Sequence, residues 1–162
     1  MNDPRIVVGV DRSSPSTTAL GLAMIQARLV GATVEAISAW QDAATAGYSF
    51  GGIPYMYEGA SIATITVKVL AETVAEAVGQ PDNPVGIRTR VGQGHPALVL
   101  LDTAIGADML VVGSRGHGPF AGTLLGPVSQ HCVDTPRARH RRAAAEALTT
   151  PKPATGHDVH TN

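Results

Sequence analysis

Residues 113–130 read GSRGHGPFAGTLLGPVSQ, with five glycines among the fourteen positions 113–126. They follow ADMLVVG, an apolar run of the length of a buried strand. Glycine is favoured where φ must be positive or where a ligand comes against the backbone, and elsewhere its conformational entropy makes it costly. A strand, a glycine-rich loop and then a helix start are the parts of an anion site, because bare N–H groups and the helix N-terminus both point at the bound charge. The chemistry expected is the holding of a phosphate-bearing ligand; the alternative is a connection that holds nothing.

Other groups compete less well for a chemical role. GQGHPA, residues 92–97, fits the G-x-G-x-x-A pattern of dinucleotide binding. That pattern belongs in the first βα turn with an acidic residue about 20 positions on, whereas here Asp108 opens the next strand. There is no G-x-x-x-x-G-K-[ST], and Lys68 and Lys152 both lie away from the glycine loops, which argues against a Walker-type ATPase. His95, His117 and His131 lack compact metal-ligand spacing. Ser129 and His131 read as the exposed face of one helical turn rather than a nucleophile with its base. No catalytic residue and no protein metal site are expected.

The elements that must position the glycine loop alternate. RIVVGV (5–10) is a continuous β-branched run, as in a strand covered on both faces. DRSSPSTTALGLAMIQARLVG follows, with Ser14 as N-cap, Pro15 at the first helical position, Leu20, Ala23, Ala27 and Val30 at helical spacing, and Gly31 as the stop. ATVEAISAW (32–40) is a second strand, and a long loop after it carries all three tyrosines. Val67, Leu70, Val74 and Val78 predict one face of a second helix over 60–79. VGIRTRV (85–91) alternates as a strand near a sheet edge, HPALVLLDTAIG is a third helix, and ADMLVVG is the fourth strand. Strands alternating with helices predict an α/β fold with an open, doubly wound, Rossmann-like parallel sheet. Ligands of such sheets sit beyond the carboxyl ends of the strands where strand order reverses, an edge that Asp11 and Gly113 share.

After residue 133 the pattern fails. The remainder holds four arginines within 137–142, then alanines, then a polar end, and no fifth strand can be read in it. The expectation is a domain over 1–135 with four strands, the fifth lost or replaced, and a tail over 136–162 that is disordered or weakly helical.

The totals narrow the function. At 162 residues and 44% hydrophobic, the chain is long enough for one core. A net charge of −1 argues against a nucleic-acid binder. No apolar run approaches the ~20 residues that span a bilayer, so no membrane partner is expected. A lone Cys132 and no signal-peptide pattern point to the cytoplasm.

IVVGVDRS, GATVEAISAW, VGQGHPALVLLDTA and ADMLVVGSRGHGPFAGTLLGPVSQH together resemble the universal stress protein family in its single-domain form. Nucleotide-binding members carry glycine, two residues, glycine, nine residues, then glycine followed by Ser or Thr. Gly113, Gly116 and Gly126 match, and Pro127 departs from the pattern. The resemblance implies an adenine-nucleotide alpha-hydrolase-like fold and ATP, with or without Mg2+, bound by a stress-response or regulatory protein that is not an enzyme. It would set Asp11 at the adenine or ribose side, with the backbone near Ala39 and Val112 lining the base pocket. Gly113, Arg115 and Gly116 would border the ribose and phosphates, and Gly126, Val128 and Ser129 would hold the phosphates. Two plainer roles stay open: Asp11 as the aspartate of the turn before the first helix, and Arg115 as a solvated loop charge. Pro127 removes a hydroxyl and an N–H, so weakened binding is expected, and the alternative is an interaction module that no longer takes nucleotide. The arginine-rich stretch stands where relatives have an apolar final strand that contributes to a homodimer, so that dimer is expected to be weakened or absent.

Overall fold

The computed structural model describes residues 3–41, 61–79, 84–115 and 126–135, and the backbone of 141–145. In chain order the elements are β1 (Arg5–Gly9), α1 (Ser14–Val30), β2 (Thr33–Trp40), α2 (Ile62–Val78), β3 (Ile87–Gln93), α3 (Pro96–Thr103), β4 (Met109–Gly113), α4 (Pro127–Asp134) and β5 (Arg141–Ala145). The strands form one sheet in the order β3-β2-β1-β4-β5, and every pair is parallel. The chain therefore winds outward from β1 to β3 and crosses back to β4. Strand order reverses between β1 and β4, which leaves a crevice at their carboxyl ends.

Successive strand residues face opposite sides of the sheet, so an unbroken apolar run feeds two cores at once. Ile6, Val8, Val34, Ala36 and Val111 pack with Leu20, Ala23, Leu70 and Val74 from α1 and α2. Val7, Ile37, Leu110 and Val112 pack with Ala97, Leu100, Ala104 and Cys132 from α3 and α4. Both helix pairs are thereby fixed against the strands whose ends form the crevice.

Two helix details differ from expectation. The N-cap of α1 is Ser13, whose hydroxyl accepts from Ser16 N at 3.3 Å, because Asp11 Oδ1 accepts from Ser13 N and sets the turn one residue early. Gly31 ends the helix at φ 68°, donating to Ala27 O, a conformation glycine adopts without a Cβ clash. On α2 the buried stripe is Thr66, Leu70, Thr73 and Val74, while Val67 is exposed. The threonines are tolerated there because their hydroxyls donate to the carbonyls of Ile62 at 2.7 Å and Val69 at 2.8 Å.

The edge expected to be vacant beyond β4 is occupied. Met109 to Gly113 pair with Arg141 to Ala145, so the segment expected to be unordered or weakly helical supplies a fifth strand at this point. Sheet hydrogen bonds are made by backbone groups, which any non-proline residue carries; Arg and Ala hide the strand because they lack the β-branched and aromatic signature.

Candidate functional site

The site grows from the end of β4. Gly113 O accepts the Ser129 hydroxyl, and Ser114 O accepts Gly126 N at 2.7 Å, so two consecutive carbonyls of the strand end clasp the first turn of α4. Gly126 is the N-cap, with φ −72° and ψ 164°, and Pro127 opens the helix, where a missing N–H is tolerated. The next backbone donors, Val128 N and Ser129 N, have no acceptor among the described residues, and they lie at the positive end of the helix dipole.

Gly113 has a packing reason to be glycine. A Cβ there would lie 2.8 Å from the carbonyl carbon of Pro15 and 2.9 Å from Ser16 N, so the N-terminus of α1 is pressed against the end of β4. Its φ is not positive, so steric room rather than backbone freedom is what the position requires.

Asp11 stands at the end of β1, its Oδ1 accepting from Ser13 N at 2.9 Å and from the Ser13 hydroxyl, while Asp11 N donates to Ser16 Oγ at 3.2 Å. The turn role of Asp11 is thus present, and it uses Oδ1 alone among the described residues. Arg12 beside it holds φ 65°, uncommon for a residue with a side chain and a strain met at functional turns. Ala39 lies near the end of β2 opposite Gly92, and Val112 is buried next to Gly113. Arg115 is exposed, and Gly116 lies outside the described residues.

Thus Gly113, Gly126, Val128 and Ser129 come together in one knot, and Asp11 is tied to Gly113 through the start of α1. Ala39 and Val112 share the same sheet edge. Ser129 is buried rather than on an exposed helix face, its hydroxyl already engaged. A cavity of about 230 Å³ lined by Ala27, Gly31, Ala32, Thr33 and Pro84 lies at the amino ends of β2 and β3, away from these groups.

Sequence reasoning missed Ser114. Its side chain is buried, the residue being 5% exposed, and its Oγ has no hydrogen-bond partner among the described residues. A buried hydroxyl left unpaired costs about 1–3 kcal/mol, which a ligand oxygen would recover. The residue directly follows the clasping carbonyl of Gly113, and its own carbonyl meets Gly126 N, so it sits where the strand end joins the α4 N-terminus. Its signal was a serine inside a glycine motif, indistinguishable from a loop serine until burial is known. These groups fit a phosphate: one hydroxyl, two N–H donors and a helix dipole.

The sequence profile of the universal stress protein family matches residues 4–137. The chain belongs to the universal stress protein family. A universal stress protein of Mycobacterium tuberculosis is 33% identical over 125 residues, 77% of this chain and 40% of the relative. The chain thus spans about 40% of the length of the curated relatives it matches. Among solved structures, a universal stress protein in complex with cAMP has a TM-score of 0.59 at 22% identity, covering 90% of this chain and 98% of that one. A universal stress protein from Archaeoglobus fulgidus in complex with dAMP has a TM-score of 0.54 at 17% identity, covering 88% and 97%. The α/β parallel fold read from the sequence is therefore that of this family. Among the described residues no helix is long and apolar enough to cross a membrane.

Proposed function

We propose that this universal stress protein binds an adenine nucleotide, ATP foremost, at the carboxyl ends of β1, β2 and β4, and acts in the cytoplasm as a stress-response regulator rather than an enzyme. The observation that carries this reading is the buried Ser114 hydroxyl, without a partner among the described residues, at the strand end bonded to the α4 N-terminus, where the Val128 and Ser129 N–H donors likewise have no acceptor among the described residues. Complexes of two structural relatives with cAMP and dAMP supply the ligand class. Gly126, Val128, Ser129 and Ser114 would hold phosphate, with Ser129 acting through its N–H because its hydroxyl is engaged. Gly113, Arg115 and Gly116 would border the ribose and phosphates, Ala39 and Val112 the base, and Asp11 the base or ribose. Any Mg2+ would arrive with the nucleotide. Binding would shift conformation or assembly.

Pro127 favours a second reading, an interaction module that holds no nucleotide, since it removes one donor at the phosphate end. Equilibrium titration with ATP, ADP, AMP, cAMP and dAMP separates the two. Saturable binding of at least one supports the first, and no binding of any supports the second. Single-turnover analysis should return bound ATP unchanged.

A further inference from the structure

His95 and His131 are thirty-six residues apart in the chain, yet their rings meet with centroids 5.8 Å apart and planes tilted by 39°. Both residues are exposed, and neither imidazole makes a hydrogen bond to a described residue. Rigid elements hold the pair. His95 is the N-cap of α3, its carbonyl accepting from Val99 N at 3.0 Å and Pro96 following it; His131 lies within α4. Ala97 and Leu100 of α3 pack in one core with Cys132 and Val128 of α4.

We propose that His95 and His131 together bind a borderline divalent transition-metal ion of the Cu2+, Ni2+ or Zn2+ class, clamping the start of α3 to α4. With a Zn–N distance of about 2.0–2.1 Å, each ring centre lies about 3.2 Å from the metal, and the two centres about 5.2 Å apart at the tetrahedral angle. The observed 5.8 Å requires an approach of about 0.6 Å, within reach of the broad His χ2 torsion. Two imidazole nitrogens select Cu2+, Ni2+ and Zn2+ over Mg2+ and Ca2+, which take oxygen ligands. Among the described residues no group of three or more His, Cys, Asp or Glu side chains forms a cage, so water completes the coordination and the ion exchanges readily. The site shares no residue with the proposed nucleotide contacts.

The test titrates nucleotide-free protein with NiCl2, ZnCl2 and MgCl2, following thermal unfolding and calorimetric binding. At free Ni2+ ten times its dissociation constant, the folding equilibrium constant should rise about elevenfold, less any binding to the unfolded chain. MgCl2 should give no shift. His95→Asn and His131→Gln should each abolish the metal-induced rise, and both should fold, since Asn is a favourable N-cap and Gln a good helix former. A double variant of two histidines three residues apart in sequence and outside the proposed site, His157→Asn with His160→Asn, should retain it. Absence of stabilisation in the parent chain, an undiminished rise in either His95→Asn or His131→Gln, or its loss in the His157 and His160 variant would each overturn the proposal.

Discussion

Replacing Gly113 by alanine separates packing from ligand contact at the heart of the site. The added Cβ would sit 2.8 Å from Pro15 C and 2.9 Å from Ser16 N, closer than real Cβ contacts run, and 3.0 Å from Pro15 Cβ, tighter than most. None of these atoms is the flexible end of a long side chain. The start of α1 must therefore move as a piece of backbone, and it is held by Ser13 and Asp11 on one side and the core residues Ala19 and Leu20 on the other. Overpacking of this kind costs about 1–3 kcal/mol. For a chain of 162 residues each kcal/mol moves Tm by about 2–4 °C, so Gly113→Ala should melt about 2–12 °C lower without ligand. Nucleotide affinity, measured well below that Tm, should fall less steeply, because the proposed phosphate donors sit on α4. Scanning calorimetry of the ligand-free variant and calorimetric titration with ATP give both numbers. An unchanged Tm with abolished ATP binding would refute the reasoning: the glycine would then be needed for ligand approach and not for the α1 contact.

Pro127→Ser restores an N–H and a hydroxyl at the first helical position. A hydrogen bond to a charged group contributes about 1.5–3 kcal/mol, so ATP should bind about tenfold to a hundredfold more tightly, and an unchanged Kd would show that Pro127 does not limit binding. Asp11→Ala removes the acceptor that holds Ser13 in its capping position, and should lower ligand-free stability by about 0.5–2 kcal/mol in thermal unfolding. An unaltered Tm with lost ATP affinity would instead assign Asp11 wholly to the ligand. Light scattering at micromolar concentration should find the homodimer that the family resemblance implies weakened or absent, since residues 137–142 are arginine-rich where that resemblance implies an apolar final strand; a stable dimer contradicts this. The arginine run also has a testable origin in the gene. Codons CGT GCC CGT CAT CGT CGT followed by G, read one base on, spell Val-Pro-Val-Ile-Val-Val, an apolar strand where this chain has residues 137–142. A nucleotide sequence with no apolar run in either shifted frame disposes of a frameshift.

β1 and β4 were legible because a strand stretch buried on both faces is apolar without a break, as IVV and LVV are, and β3 because an edge strand alternates. The helix stops were legible as well: Gly31 and Gly79 both hold positive φ at a helix end. Val67 misled because helical spacing alone does not say which side faces the sheet, and the side that does carries Thr66 and Thr73, whose hydroxyls are satisfied by their own helix. The fifth strand escaped for a related reason. Pairing with β4 is a property of backbone groups, and an edge strand needs far less apolar side chain than a central one, so RRAAA carries no periodic signal.

At the candidate site, the grouping of Gly113, Gly126, Val128 and Ser129 was legible and its internal wiring was not. Glycine spacing marks where backbone comes close, but it does not distinguish approach by a ligand from approach by another helix; Gly113 is pressed by Pro15 and Ser16, while Gly126 serves as an N-cap bonded to Ser114 O. The same wiring explains how the chain can carry Pro127. Of the polar groups in the first turn of α4, Gly126 N and the Ser129 hydroxyl are already consumed in holding the helix to β4, so the helix is seated without help from position 127. What a serine at position 127 would add, an N–H and a hydroxyl, would serve the proposed anion, so on that reading its loss falls on the ligand and not on the fold. The Ser114 hydroxyl, buried and without a partner among the described residues, is a donor whose desolvation has been met in advance, and on the proposed reading it would give the anion a partner that does not depend on residue 127.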